Sequence, residues 1–287
     1  VAYRSPRVPR SAFLFRALAA SLAPLAVLEA PIRARAASQS NAALPAAHLG
    51  PLINIPQTWN NCGPAAVAEV LAYWGIARTQ AQVQAILRVD GPSAGMTPYG
   101  VPAYARSLGL RTLSGAGGSV ALVKGLIAGG FPVIVHQVVS LADLTGHWRP
   151  IEAYDDRQGV FVASDPYLGP DHAIGYGDFA RIWALRGQAF VVLYPASHQA
   201  ALSSIVARSG WDRAAAYVED LALVRGGQLD ASPAGTPGSA SGGYRALAMA
   251  WDAAQLGRAA TARAYLGLAT SGGANPIEAG WVAAAIR

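Results

Sequence analysis

Apolar positions change their spacing about halfway along this chain, and the change separates two kinds of structure. Val67, Val70, Leu71 and Trp74 recur at i, i+3, i+4 and i+7, which predicts an amphipathic helix. Pro64 fits its first turn, where a missing N–H is no loss. Thr79-Gln80-Ala81-Gln82 caps a second helix carrying Val83, Ile86 and Leu87. Thr97-Pro98 starts a third through Tyr104 to Leu108, ended by Gly109. Ser119 caps a fourth with Leu122, Val123, Leu126 and Ile127, closed by Gly129-Gly130. Residues 132–139 then bring a density of β-branched side chains that predicts a buried strand. Residues 146–154, 159–164 and 189–194 read as three more strands, with a hairpin turn at 155–158. Helices followed by antiparallel strands predict an α+β domain.

Beyond Pro195 the texture changes again. Residues 199–224 and 244–269 are alanine-rich and helix-patterned, and 226–243, rich in Gly, Ser, Pro and Ala, reads as a flexible linker. Leu256-Gly257-Arg258-Ala259 suits a tight turn, with Tyr265 and Leu268 on the helix after it. This helix pair is a little like one tetratricopeptide unit, but such arrays need about three repeats. A helical appendage packed on the main domain is expected, with a docking surface for a protein partner as the alternative.

Composition and charge narrow the picture. The 287 residues are 53% apolar and 13% charged, a globular balance. Of the net charge of +6, most belongs to the opening segment, where Arg4, Arg7, Arg10, Arg16, Arg33 and Arg35 face only Glu29. The rest of the chain is nearly neutral, so nucleic-acid binding is not expected. Residues 1–36 read as an export signal: a basic start, an apolar run at 17–28, and Ala34-Arg35-Ala36 as a cleavage pattern. The run is too short for a membrane span, which takes about 20 residues. An uncleaved amphipathic anchor at the membrane surface is the alternative. Residues 37–47 then form a small-residue linker, 48–195 the main domain and 196–287 the helical tail.

Cys62 is the only cysteine in the sequence, so neither an internal disulfide nor a cysteine-based zinc site can form within it. It stands at the start of the first helix, beside free N–H groups and the positive end of the helix dipole. That setting favours the thiolate, the nucleophilic form. The alternative is a small buried hydrophobe.

Gln57, four residues, then Cys62-Gly63-Pro64 opening an apolar helix resembles the papain-like cysteine peptidases of the bacteriocin-processing (double-glycine leader) type and their solo relatives. The resemblance covers about residues 48–195 and implies a papain-like fold, with the nucleophile's helix against the sheet that delivers the base. It implies Cys62 as nucleophile and Gln57 as oxyanion donor. Gly146-His147-Trp148, opening a strand that ends Ala153-Tyr154-Asp155, is similar to the family's general-base motif and implies that role for His147. Asp165, in Asp165-Pro166-Tyr167-Leu168-Gly169, is similar to the third member that orients the imidazole. Taken by itself, Asp165 reads as a turn former; its order and spacing with Gln57, Cys62 and His147 favour the third-member role.

The chain departs from the pattern in two places. Asn60 and Asn61 stand where many relatives have an aspartate before the cysteine. Arg149-Pro150 follows His-Trp where apolar residues are usual, and the proline predicts an edge or bulged start to that strand.

Among the remaining histidines, His48 reads as a solvated loop residue and His136 as a core or sheet-face residue. His172, in a flexible loop with Asp171 and Asp165, is a weak metal pattern. The resemblance implies no metal and no cofactor. Trp148, Arg149 and Tyr167 are candidates for lining a substrate cleft. The expectation is an exported, extracytoplasmic cysteine peptidase acting on a peptide or protein substrate. An amide acyltransferase or amidase on the same residues, and a catalytically silent peptide-binding module, are the alternatives.

Overall fold

The computed structural model describes residues 44–50, 52–88, 95–211, 240–255, 257–274 and 276–286. The expected export segment, most of the first linker, residues 212–224 of the tail and most of the 226–243 linker lie outside the described residues. No described helix is long and apolar enough to cross a membrane.

The described chain is α+β, with an antiparallel sheet carrying helices on both faces. In order come β1 (Ala46–His48), α1 (Cys62–Tyr73), α2 (Gln80–Leu87), a 3-10 turn into α3 (Val101–Ser107), β2 (Leu110–Gly115) and α4 (Val120–Ala128). Then follow β3 (Val133–Val138), β4 (Gly146–Asp155), β5 (Val160–Asp165), β6 (Gly169–Gly175), α5 (Tyr176–Ala184), β7 (Phe190–Pro195) and α6 (Gln199–Ser209). The tail adds α7 (Ala240–Gln255), α8 (Ala259–Ser271) and α9 (Pro276–Ala285). The strands run β2-β7-β3-β4-β5-β6, with β1 beside the far half of β4.

The period-two pattern of β3 explains why it is buried on both faces. Val133 and Val135 enter one core with α4, α5 and α6, while Ile134 enters the other with α1, α2 and α3. Three expected caps and turns form as their chemistry dictates. Thr79 accepts from Gln82 N–H in a reciprocal capping box, Ser119 accepts from Leu122 N–H, and Asp155 Oδ1 accepts from Arg157 N–H in the β4–β5 hairpin.

Several expectations need correction. Helix α1 is not amphipathic: Cys62 through Leu71 are all buried, because β4 and α2 cover it on different sides. Ile86 is 63% exposed, since α2 buries only Val83 and Leu87. The end of the first linker is strand β1, which puts exposed His48 in a sheet, and Leu110–Gly115 forms an unexpected strand against β7. His172 lies on β6, paired with Ala163, rather than in a flexible loop. Ala240–Gly243 belong to α7 and not to a linker. Leu268 is exposed whereas Tyr265 is buried. Each miss has the same source, because pairing partners and burial are supplied by distant segments.

Candidate functional site

Cys62 occupies the first turn of α1, and its neighbours explain how it gets there. Asn60 takes a left-handed backbone (φ 53°), which asparagine tolerates better than most residues. Asn61 is fully buried and donates from Nδ2 to Thr58 Oγ1 and, at 2.9 Å, to Gln80 Oε1, tying the loop to α2. Gly63 has no space for a side chain: a Cβ there would stand 2.6 Å from Met96 Cβ. The residue after the cysteine must therefore be glycine if Met96 is to close over the helix start.

The β4–β5 ladder begins at Ile151–Ala163 and shifts register between Ile151 and Ala153, so the expected bulge lies just past Pro150. Nearer its start β4 pairs with β3, where His147 stands opposite Gln137. Where β4 and β5 part, side chains of β4 reach Asp165 at the end of β5. His147 Nε2 lies 2.8 Å from Asp165 Oδ1, and both residues are buried. The same oxygen accepts from Tyr167 N–H and Leu168 N–H at 2.8 and 2.9 Å, so the aspartate also makes its turn. With Nε2 engaged, the ring nitrogen left for the Cys62 sulfur is Nδ1, and the two side chains are within hydrogen-bonding reach.

The electrostatics follow from these contacts. Burial pushes the Cys62 thiol up, but the His147 hydrogen bond and charge, with the N–H groups of Trp148 and Gly63, outweigh it and the net shift is downward. Burial pushes His147 down, yet Asp165 and Cys62 bring it above its ordinary value. Burial likewise opposes charge on Asp165, and His147 together with Arg149 holds it well below the usual carboxylate range. All three shifts run toward thiolate, imidazolium and carboxylate.

Gln57 sits on the loop that leads to Cys62, and its N–H donates to Pro166 O at 2.8 Å, tying this loop to the Asp165 turn. Its side-chain Oε1 is buried without a protein partner. Asn54 Nδ2 adds donations to Ser164 Oγ and Asp165 O, and Ile55 N–H donates to Glu69 Oε1 at 2.8 Å. Thus Cys62, His147 and Asp165 converge, with Gln57 on a strap anchored to the same turn.

Of the three suggested cleft residues, only Tyr167 is exposed, with its ring edge-on to His147 at 6.2 Å between centroids. Trp148 is buried, donates to Met96 O and stacks on His136 at 4.2 Å, because its strand position faces the α1 side of the sheet. Arg149 is fully buried, with Nε 3.3 Å from Asp165 Oδ2 and Nη2 donating to Val139 O at 3.2 Å. Sequence reasoning missed that contact and also Glu69, a fully buried carboxyl on α1. The signal for each was a charged residue inside an otherwise apolar run.

A family model, the Peptidase_C39 like family, matches residues 38–191, just over half of the chain. The chain is similar to the crystal structure of a double glycine motif protease from an AMS/PCAT transporter in complex with the leader peptide. Identity is 22%, covering 52% of this chain and 94% of that one, with a TM-score of 0.40. It is similar to the peptidase domain of Streptococcus ComA, a bi-functional ABC transporter involved in a quorum sensing pathway, at 21% identity over 49% and 96%, TM-score 0.39. A C39-like peptidase from Bacillus anthracis matches at 15% identity over 52% and 96%, TM-score 0.42. No curated protein matches the sequence.

Proposed function

The chain belongs to the Peptidase_C39 like family, and on that premise we propose that it is a cysteine peptidase hydrolysing peptide bonds. The observation that carries this reading is the buried run from Cys62 through His147 to Asp165, with the thiol shifted down and the imidazole up. In this reading the Cys62 thiolate attacks the scissile carbonyl carbon. The oxyanion that forms takes hydrogen bonds from the Gln57 side chain and the Cys62 N–H. As the C–N bond breaks, His147 gives its proton to the departing amine and leaves an acyl-thioester on Cys62. His147 then takes a proton from water, which attacks the thioester, and the acid product and thiolate are restored. Asp165 keeps the imidazole oriented and balances its charge throughout. Exposed Trp59 and Tyr167, on the loops that carry Gln57 and Asp165, offer apolar contact to a peptide.

The basic and apolar opening of the sequence supports an exported enzyme working outside the cytoplasm. Fractionation of cells making the full chain tests this, and a purely cytoplasmic product of unchanged mass would sink it.

For the activity, a peptide library is incubated with the protein and with Cys62→Ala. Cleavage by the former and none by the latter is expected. Acyl transfer from the same thioester would instead yield products joined to an added amine, visible by mass. Binding without cleavage by either protein would support the silent-module alternative.

A further inference from the structure

We propose that Arg149 is a fourth, positioning member of this site, set beside the second oxygen of Asp165 and supplying the charge that favours the Cys62 thiolate. This inference rests on the peptidase reading above and concerns the charged residue that directly follows His-Trp. Thiolate, imidazolium and carboxylate together carry one net negative charge. Burying such an excess is costly, because the interior screens little. The guanidinium of Arg149, fully buried on the same strand two residues past His147, cancels it and leaves a neutral set of four.

The geometry supports a division of labour at Asp165. Oδ1 is occupied by His147 Nε2 and the N–H groups of Tyr167 and Leu168, whereas Oδ2 has only Arg149 Nε beside it. Arg149 is itself fixed by the carbonyls of Val138 and Val139, at 3.4 and 3.2 Å from Nη2. It therefore has one place to put its charge. Arg149 also lines a cavity of about 410 Å³ with His172 and Asp178, and among the described residues its ion pair is with Asp165.

Removing this cation has a definite sign. A positive charge near Cys62 favours the thiolate, and near His147 it disfavours the imidazolium. Without it, both groups hold their protons to higher pH. The other titratable groups facing the set are Glu69 from α1, Asp143 from the β3–β4 turn, Glu152 from β4, His172 from β6 and Asp178 from α5. These side chains are present in every Arg149 variant; Arg149 acts on His172, and Arg149→Lys, which keeps that charge, controls for it.

The test is the rate of Cys62 alkylation by iodoacetamide from pH 4 to 10, which needs no substrate. Arg149→Met is expected to move the midpoint up by about one pH unit, a tenfold loss of thiolate on the acid side, with the plateau rate kept. Arg149→Lys, which keeps the charge, is expected to recover most of the shift. If Arg149→Met does not fold, Arg149→Gln, which keeps donors for the Val138 and Val139 carbonyls, is titrated in its place. A midpoint that stays within about 0.3 unit of the parent's, or an equal shift in Arg149→Lys, overturns the proposal. A parent protein that titrates like an ordinary thiol near 8.5 defeats the peptidase reading itself, so the two failures are distinguishable.

Discussion

Two buried histidines on neighbouring strands show the difference between a charge network that hydrogen bonds close at one carboxylate oxygen and one that stays open. His147 on β4 meets Asp165, whose Oδ1 accepts from the imidazole and two backbone N–H groups, while Oδ2 has Arg149 Nε at 3.3 Å without an aligned hydrogen bond. His136 on β3 meets Glu278, which arrives on α9. Glu278 Oε1 is 3.2 Å from His136 Nδ1 and 4.0 Å from Arg186 Nη1, yet neither of its oxygens receives an aligned hydrogen bond. Strands β4 and β5 are joined by a short hairpin, and the turn after β5 fixes Asp165 through the N–H groups of Tyr167 and Leu168. Glu278 comes from a helix far along the chain, positioned by packing alone. Packing brings the charges together without aiming them.

The sharpest way to break this contrast is Asp165→Ala. It leaves Arg149 and His147 buried without their carboxylate, and a loss of about 3–5 kcal/mol in denaturant unfolding is expected. A loss under about 1 kcal/mol would put the closed network on a par with a surface pair.

Glu69 extends the comparison to a buried carboxyl with no cation beside it among the described residues. Burial pushes it up to about 8, only partly offset by the Ile55 N–H and the Ser164 hydroxyl. Its native form therefore keeps a proton that the unfolded chain loses near pH 4.5. The stability it contributes is full below that pH and is lost as the pH rises through about 8. The slope is up to about 1.4 kcal/mol per pH unit. Glu69→Gln should remove this slope, read as the difference between the two unfolding curves across that window. Parallel curves would count against it.

Glu278→Ala is expected to cost less, about 1–2 kcal/mol, because few hydrogen bonds are lost. It should also leave the pH profile of Cys62 alkylation in place. A cost equal to that of Asp165→Ala would mean that the second network is closed in solution.

The smallest effect belongs to Lys124→Met at the surface. Lys124 Nζ lies 2.6 Å from Asp156 Oδ1, but both side chains meet solvent. Less than about 1 kcal/mol is expected, shrinking further in high salt. A larger, salt-independent loss would show that exposure does not separate these pairs.

The sequence alone was enough for whatever depends on neighbours in the chain. The caps at Thr79 and Ser119, the hairpin at Asp155, the alternating faces of β3 and the helix start at Cys62 all formed where residue order put them. Local geometry is set by a few adjacent dihedrals and donors, so it is legible in a short window. Cys62, His147 and Asp165 could be named from motifs as well, and the fold brings them together.

Only the tertiary structure decided the rest. Helix α1 is buried from Cys62 through Leu71, Trp148 turns into the core, His172 joins a strand, and Arg149 finds Asp165 across the gap where β4 and β5 part. Each outcome depends on what a distant segment brings to the same point. For a buried charge, that partner decides both the ionisation state and the energy, and no local pattern carries this information.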